Sequence, residues 1–316
     1  MCKTKTEFKF IMELNLDCIP CLQRQALKAI REISDDPKLQ EQILREAIDT
    51  LTGCDWHKTP PELAHKIHKI VRDKTGGIDP YKKLKKESND MVLEIYPELK
   101  AMVEESSDSV NEAIKLAIAG NIMDFGALDD FNIHKTIEYV RGKEINKENY
   151  KLFLNKFNSA KTLLLFADNA GEIVFDKLLI ETLLSKKNFD KICFTNFNKI
   201  SEFSKFHYFD KISYVIKGGS IINDATIEDA ECVGIDKIEN LIFLKTNNGD
   251  AGTGPIRNSP EVESWINSHD LVISKGQGNY EGLSGFNGIF YMLMAKCHIV
   301  AADLGVPVGS VVLRYK

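Results

Sequence analysis

No apolar run in this chain is long enough to cross a bilayer. The longest, such as Ile289 to Ala295, fall far short of the ~20 residues a spanning helix needs. A basic excess is also missing: 41 Lys and Arg face 46 Asp and Glu, for a net charge of −5. Nothing is left over to displace phosphate counterions, so a nucleic-acid partner is not expected. The seven cysteines are odd in number and scattered, which excludes a disulfide framework and points to free thiols in a reducing cytosol. The N-terminal segment has a short apolar stretch broken by charge and does not read as a signal peptide, and Met12 is a second candidate start. A cytoplasmic protein without membrane contact is the expectation. The composition, 43% hydrophobic and 28% charged, is that of a globular chain able to bury a large core.

Two patterns divide what is present. From residue 12 to about 157 apolar residues recur at three- and four-residue spacing, as in LQRQALKAIREI, PPELAHKIHKIVRD and VNEAIKLAIAG, and no convincing strand interrupts them. From 158 to 316 short β-type runs alternate with helical ones. LLLFA, KICFTNF, ISYVIKG, LIFLK, LVISKG, HIVAA and SVVLRY read as strands. Helices are expected over about 171–185, 225–233, 260–267 and 288–296. The alternation implies βαβ units, hence an α/β fold: a Rossmann-like three-layer sandwich on a mainly parallel sheet, preceded by an all-helical region. FDKI occurs twice, at 189–192 and 209–212, and marks a local duplication or an insertion between them.

In such sheets ligands bind beyond the carboxyl ends of the strands. Three expected strand tips carry polar residues: Asp168-Asn169-Ala170-Gly171-Glu172, then Asn223-Asp224, then Lys275-Gly276-Gln277-Gly278-Asn279. Two aspartates and an asparagine oxygen make a hard, all-oxygen set suited to a small divalent cation. The Gly-rich turn offers backbone N–H groups to an anion, and lysine supplies compact positive charge. Helix capping by Asp168, Asn169 or Asp224 is the plain alternative for each tip alone. Three such tips in one sheet favour a site. The first strand lacks G-x-G-x-x-G, which disfavours the rival reading of a nucleoside-cofactor enzyme such as a methyltransferase.

FADNAGEIVFD, INDATIEDA, KGQGNYEGL and, in the helical half, AGNIMDFGAL together resemble the damage-control phosphatases with an acidic-residue-methyltransferase-like metal-binding domain. The resemblance extends from Met12 nearly to the end and is nearest the archaeal-type branch, which opens on a Cys-x-x-Cys like Cys18-Ile-Pro-Cys21. It implies a metal on Asp168, Asn169 and Asp224. It implies catalytic and phosphate-binding roles for Lys275, Gly276, Asn279 and Lys296, with Asn121 and Asp124 facing the cleft. Asn223 and Glu172 complete the candidate set. The implied reaction is hydrolysis of small phosphomonoesters, sugar phosphates or related metabolites, with Mn²⁺, Ni²⁺, Co²⁺ or Mg²⁺. A non-catalytic sensor of a phosphorylated metabolite is the alternative. The distance from Asn169 to Asp224 exceeds the family's expected spacing by about the length of the FDKI repeat.

The nucleophile, metal-activated water or Asp168 itself, stays open. The Asp-x-Asp pattern of the haloacid dehalogenases is absent. Glu172 serves equally well as a ligand-orienting group or as an acid in a helix's first turn. Asp79, Tyr81 and Lys85 are candidates for the substrate wall, and the Gly-rich run 247–258 for a pocket-lining loop. Cys18, Cys21, Cys54 and His57 have the chemistry of a structural zinc site, although thiols packed near a helix start carry more weight.

Overall fold

A computed structural model describes residues 12–76, 79, 81–122, 132–194, 209–219, 223–246 and 259–316, the side chains of 188–194 excepted. Eight helices come first: α1 (Cys18–Ile33), α2 (Pro37–Gly53), α3 (Pro60–Lys74), α4 (Lys82–Glu94), α5 (Tyr96–Glu105), α6 (Ser109–Ile122), α7 (Ile133–Arg141) and α8 (Lys147–Ser159). Their starts follow from local chemistry. Asp36, Asn132 and Asn146 accept the backbone N–H of Lys38, Lys135 and Asn149, and Pro37 and Pro60 occupy first turns where no N–H is needed.

The alternating half follows: β1 (Thr162–Phe166), α9 (Glu172–Phe194), β2 (Lys211–Lys217), α10 (Ile227–Cys232), β3 (Leu241–Thr246), α11 (Pro260–Asn267), β4 (Leu271–Lys275), α12 (Gln277–Leu283), β5 (Ile289–Met294), α13 (His298–Leu304) and β6 (Val311–Tyr315). The sheet order is β3-β2-β1-β4-β5-β6, parallel except for the last pairing. Chain direction across the sheet reverses between β1 and β4, which opens a crevice beyond their carboxyl ends.

Alternate residues feed opposite faces. Leu163, Leu165, Ile212, Tyr214, Leu271 and Ile273 pack with α6, α8 and α9, while Leu164, Phe166, Val215 and Val272 pack with α11, α12 and α13. The expected three layers are present, and helices α6–α8 belong to one of them. Helices α1–α3 carry a small core of their own around Ala26, Ala47 and Ile67. Gly120 lets α6 cross α9 closely: a Cβ there would lie 2.8 Å from the Phe175 ring.

Three expected elements are corrected. The run IFYMLM, expected within a helix over 288–296, is strand β5, buried on both faces. HIVAA is helix α13, ended by Gly305 in the left-handed conformation. Lys191–Phe194 of KICFTNF end α9, and 195–197 lie outside the described residues. No helix among the described residues is long and apolar enough to cross a membrane.

Candidate active site at the sheet switch point

The backbone brings the two aspartates together first. Past β1, Ala170 N–H donates to Asn223 O at 2.9 Å and Ala225 N–H donates to Asp168 O at 2.9 Å, so Asn169 and Asp224 form an isolated antiparallel bridge. Neither aspartate caps a helix. Thr226 caps α10 in a reciprocal arrangement with Asp229. The Asp168 carboxylate accepts from Lys217 Nζ at 3.0 Å on Oδ1, and from Asn169 Nδ2 at 3.0 Å and Asn121 Nδ2 at 3.3 Å on Oδ2. Lys217 Nζ also donates to Asp224 Oδ1 at 2.7 Å. Burial pushes the Asp224 carboxyl up to about 6 against the opposing pull of Lys217. Burial disfavours the Lys217 charge, but Asp224 and Asp168 outweigh it and hold its pKa above the ordinary lysine value.

Lys217 and Asn89 were not anticipated from the sequence. The signal for Lys217 lies in strand register: Phe166 pairs with Val215, which sets Lys217 beside Asp168 two residues on. Asn89, on α4, accepts the Gly171 N–H at 2.6 Å and pins the turn after Asn169. No local pattern announces it.

Beneath the carboxylates lies a second, buried layer. Lys275 is 0% exposed and its three ammonium protons are spoken for by Glu172 Oε1 at 2.8 Å, Asp176 Oδ1 at 2.6 Å and Ala117 O at 2.9 Å. Asp176 also accepts from Tyr214, and Glu172 from Asn121. Burial pushes Glu172 up to about 7 and raises Asp176, with Lys275 opposing both shifts. This corrects the expectation that Lys275 and Glu172 meet substrate: desolvation is tolerable for them because they neutralise one another in the floor. Gly276 does not cradle an anion either. Its φ is +80°, its N–H goes to Met292 O, and a Cβ would fall 1.8 Å from Asp168 Oδ2. Asn279 Nδ2 donates to Ala167 O and Lys275 O, both at 2.8 Å, and so fastens the ends of β1 and β4.

Asn121 lines the cleft, with Oδ1 accepting from Met294 N–H. Asp124 and the 247–258 run lie outside the described residues. Asp79, Tyr81 and Lys85 do not form a substrate wall: Lys85 is buried and bridges Asp79 at 2.9 Å and Asp229 at 3.1 Å, tying α4 to α10. Cys18, Cys21, Cys54 and His57 form no metal-holding cluster. Cys54 Sγ donates to Leu51 O, and His57 Nδ1 lies 3.4 Å from Glu13 Oε2.

Over this floor opens a cavity of about 690 Å³. Asp168, Asn169, Asn223, Asp224, Lys217 and Asn121 line its base. Its far wall is α1, with Cys18, Cys21, Arg24 and Gln25, and its side is Gln277, Asn279, Glu281 and Lys296. Lys296 is exposed, and its backbone N–H donates to Gln277 Oε1 at 3.0 Å. Glu281 accepts from Gln277 Nε2 at 3.1 Å, and burial pushes its carboxyl up to about 7. Two carboxylates and an amide oxygen within one bridged pair of turns are a hard donor set of the kind a divalent cation takes. The donors fit such an ion; Lys217 shares two of them.

The model of the damage-control phosphatase ARMT1-like domain matches residues 14–196 and 197–312. The chain is similar to a damage-control phosphatase of Archaeoglobus fulgidus, at 31% identity over 96% of this chain and 99% of that one. It is similar to a damage-control phosphatase of Pyrococcus horikoshii, at 28% identity over 95% and 97%. An uncharacterized protein of Methanocaldococcus jannaschii shares 32% identity over 96% and 95%. Among solved structures, a DUF89 family protein of Pyrococcus horikoshii superposes with a TM-score of 0.78 at 26% identity, covering 96% of this chain and 100% of the other.

Proposed function

Because this chain belongs to the damage-control phosphatase family with the ARMT1-like domain, we propose that it hydrolyses small phosphomonoesters with a divalent cation held by Asp168, Asn169 and Asp224. The observation that carries this reading is the bridged pair of turns that sets both aspartates and Asn169 on one cavity floor beside Lys217. A cation held there, drawn from Mg²⁺, Mn²⁺, Co²⁺ and Ni²⁺, would supply charge neutralisation at the phosphoryl group and acidify water.

The chain's own residues do the rest. Asn121, Asn169 and Lys217 occupy both oxygens of Asp168, which suits a fixed ligand better than a nucleophile. Water is therefore the attacking group in this reading. Lys217 at the floor and Lys296 at the side of the cavity bring positive charge to a dianionic ester. Glu281, with its carboxyl near 7, holds a proton for part of the time at neutral pH and can deliver it to a leaving oxygen. The cavity has room for a sugar-sized alcohol, in keeping with a sugar phosphate or similar small metabolite as substrate.

The test is hydrolysis of p-nitrophenyl phosphate by metal-stripped protein, with each of the four cations added back and Asp168→Ala as control. Activity that returns with metal and is lost in the variant supports the reading. Wild-type protein that binds a cation tightly yet stays inactive on this ester and on a sugar-phosphate panel sinks it.

A further inference from the structure

Lys217 is the one lysine among the described residues whose ammonium contacts two proposed metal ligands at once, Asp168 Oδ1 at 3.0 Å and Asp224 Oδ1 at 2.7 Å. Its side chain is largely buried, as are both carboxylates, so solvent screens these contacts weakly. The backbone bridge between Asn169 and Asp224 forces the two anions onto one floor whatever occupies it. Like charges so placed repel unless a cation sits with them. Lys275 cannot serve, since its protons are committed to Glu172, Asp176 and Ala117. Lys85 is engaged by Asp79 and Asp229.

We propose that Lys217 is a positioning residue that acts as the carboxylate pair's resident counter-ion: it holds Asp168 and Asp224 together and competes with the divalent cation for their oxygens. The inference rests on the metal-site reading above and goes beyond it. It makes metal affinity a tuned quantity. A neighbouring monovalent charge weakens the hold on a divalent one, and the same ammonium, left with fewer carboxylate contacts when that cation binds, has protons to offer a phosphoryl oxygen.

The experiment is Mn²⁺ binding by electron paramagnetic resonance and calorimetry, with no phosphate ester present, on wild type, Lys217→Met and Lys217→Arg. Lys217→Met should bind Mn²⁺ at least about tenfold more tightly, because the competing charge is gone. Its metal-free form should melt earlier, so the melting shift caused by Mn²⁺ should grow. Lys217→Arg, which keeps the charge, should stay near wild type. A second measurement does not depend on the Met variant folding. In wild type, the Lys217 ¹⁵Nζ resonance, assigned by its loss in Lys217→Arg, should move when diamagnetic Mg²⁺ is added. Equal or weaker Mn²⁺ binding by a folded Lys217→Met protein overturns the inference, as does a Lys217 resonance indifferent to saturating Mg²⁺. A wild type that binds no divalent cation overturns the metal-site reading and this inference with it. Binding without phosphatase activity removes only the reaction and leaves the Lys217 inference standing.

Discussion

Gly276 and Asp168 are in such close contact that a single methyl group at residue 276 would lie 1.8 Å from the Asp168 Oδ2 atom. The glycine also holds φ at +80°, a conformation that side chains rarely adopt. Gly276→Ala therefore has to push the carboxylate away from Lys217 and Asn121. On the proposed reading Asp168 holds the cation, and displacing such a group by about an ångström is enough to cost roughly a hundredfold in turnover. The expected result is kcat/KM down about 100-fold or more, with weaker Mn²⁺ binding, in a protein that still folds. Kinetics and Mn²⁺ titration check it; near-normal values for both would mean that Asp168 is not held by this contact.

The buried layer predicts a different response to pH. Lys275→Met leaves Glu172 and Asp176 facing each other without their cation, at a cost of about 3–5 kcal/mol near neutral pH. Burial already raises both acids, and without Lys275 to oppose it they should rise further. In the variant the native state then binds more protons than the unfolded chain, so its stability increases as pH falls. Urea denaturation at pH 7.5 and 5.5 should show the gap between variant and wild type shrinking at the lower pH. A gap that stays constant would place the loss in packing instead of charge.

The lines of the fold that could be read in advance, and those that could not, separate on physical grounds. The α/β alternation, the parallel sheet and the helix over 260–267 are carried by periodicity and by Ser259-Pro260 at the helix start, all local signals. IFYMLM is apolar throughout because β5 is covered on both faces, and such a run has no period to distinguish strand from helix. Within the site, Asp168, Asn169 and Asp224 were visible because they stand at strand tips. The interior placement of Lys275 was not, since a lysine's surroundings are set by side chains about a hundred residues away, Glu172 and Asp176 among them. Lys217 closes a strand as unremarkably as any lysine; only the β1–β2 register makes it a partner of Asp168.

Away from the cleft, His68 is buried on α3, and burial, Arg72 and His65 together lower its pKa to about 4. The native imidazole stays neutral while the unfolded one takes a proton below about 6.5. The unfolded chain thus binds more protons in the window from 6.5 to 4, and stability falls as pH falls through it. The loss amounts to roughly 3 kcal/mol in all and levels off below the folded pKa. His68→Phe should flatten this part of the stability profile. Denaturation midpoints measured from pH 7 to 4 decide it, and a wild-type slope retained in the variant would assign the effect to other groups.

Lys296 differs from Lys275 in what its ammonium can reach. It is exposed, lines the cavity, and is anchored through its backbone N–H to Gln277 Oε1 rather than through its side chain. Removing it should leave the floor and its carboxylates intact, so folding and Mn²⁺ affinity should hold. On the proposed reading, what is lost is a charge-assisted hydrogen bond to the ester, worth about 1.5–3 kcal/mol. Lys296→Ala should therefore lower kcat/KM about tenfold to a hundredfold, and the division between KM and kcat shows where the contact acts. A rise in KM alone means that Lys296 binds the phosphate equally in ground and transition states. A fall in kcat means that it meets charge that develops only during transfer. Unchanged kinetics on both p-nitrophenyl phosphate and a sugar phosphate would remove Lys296 from the phosphate site and leave Lys217 as its candidate cation.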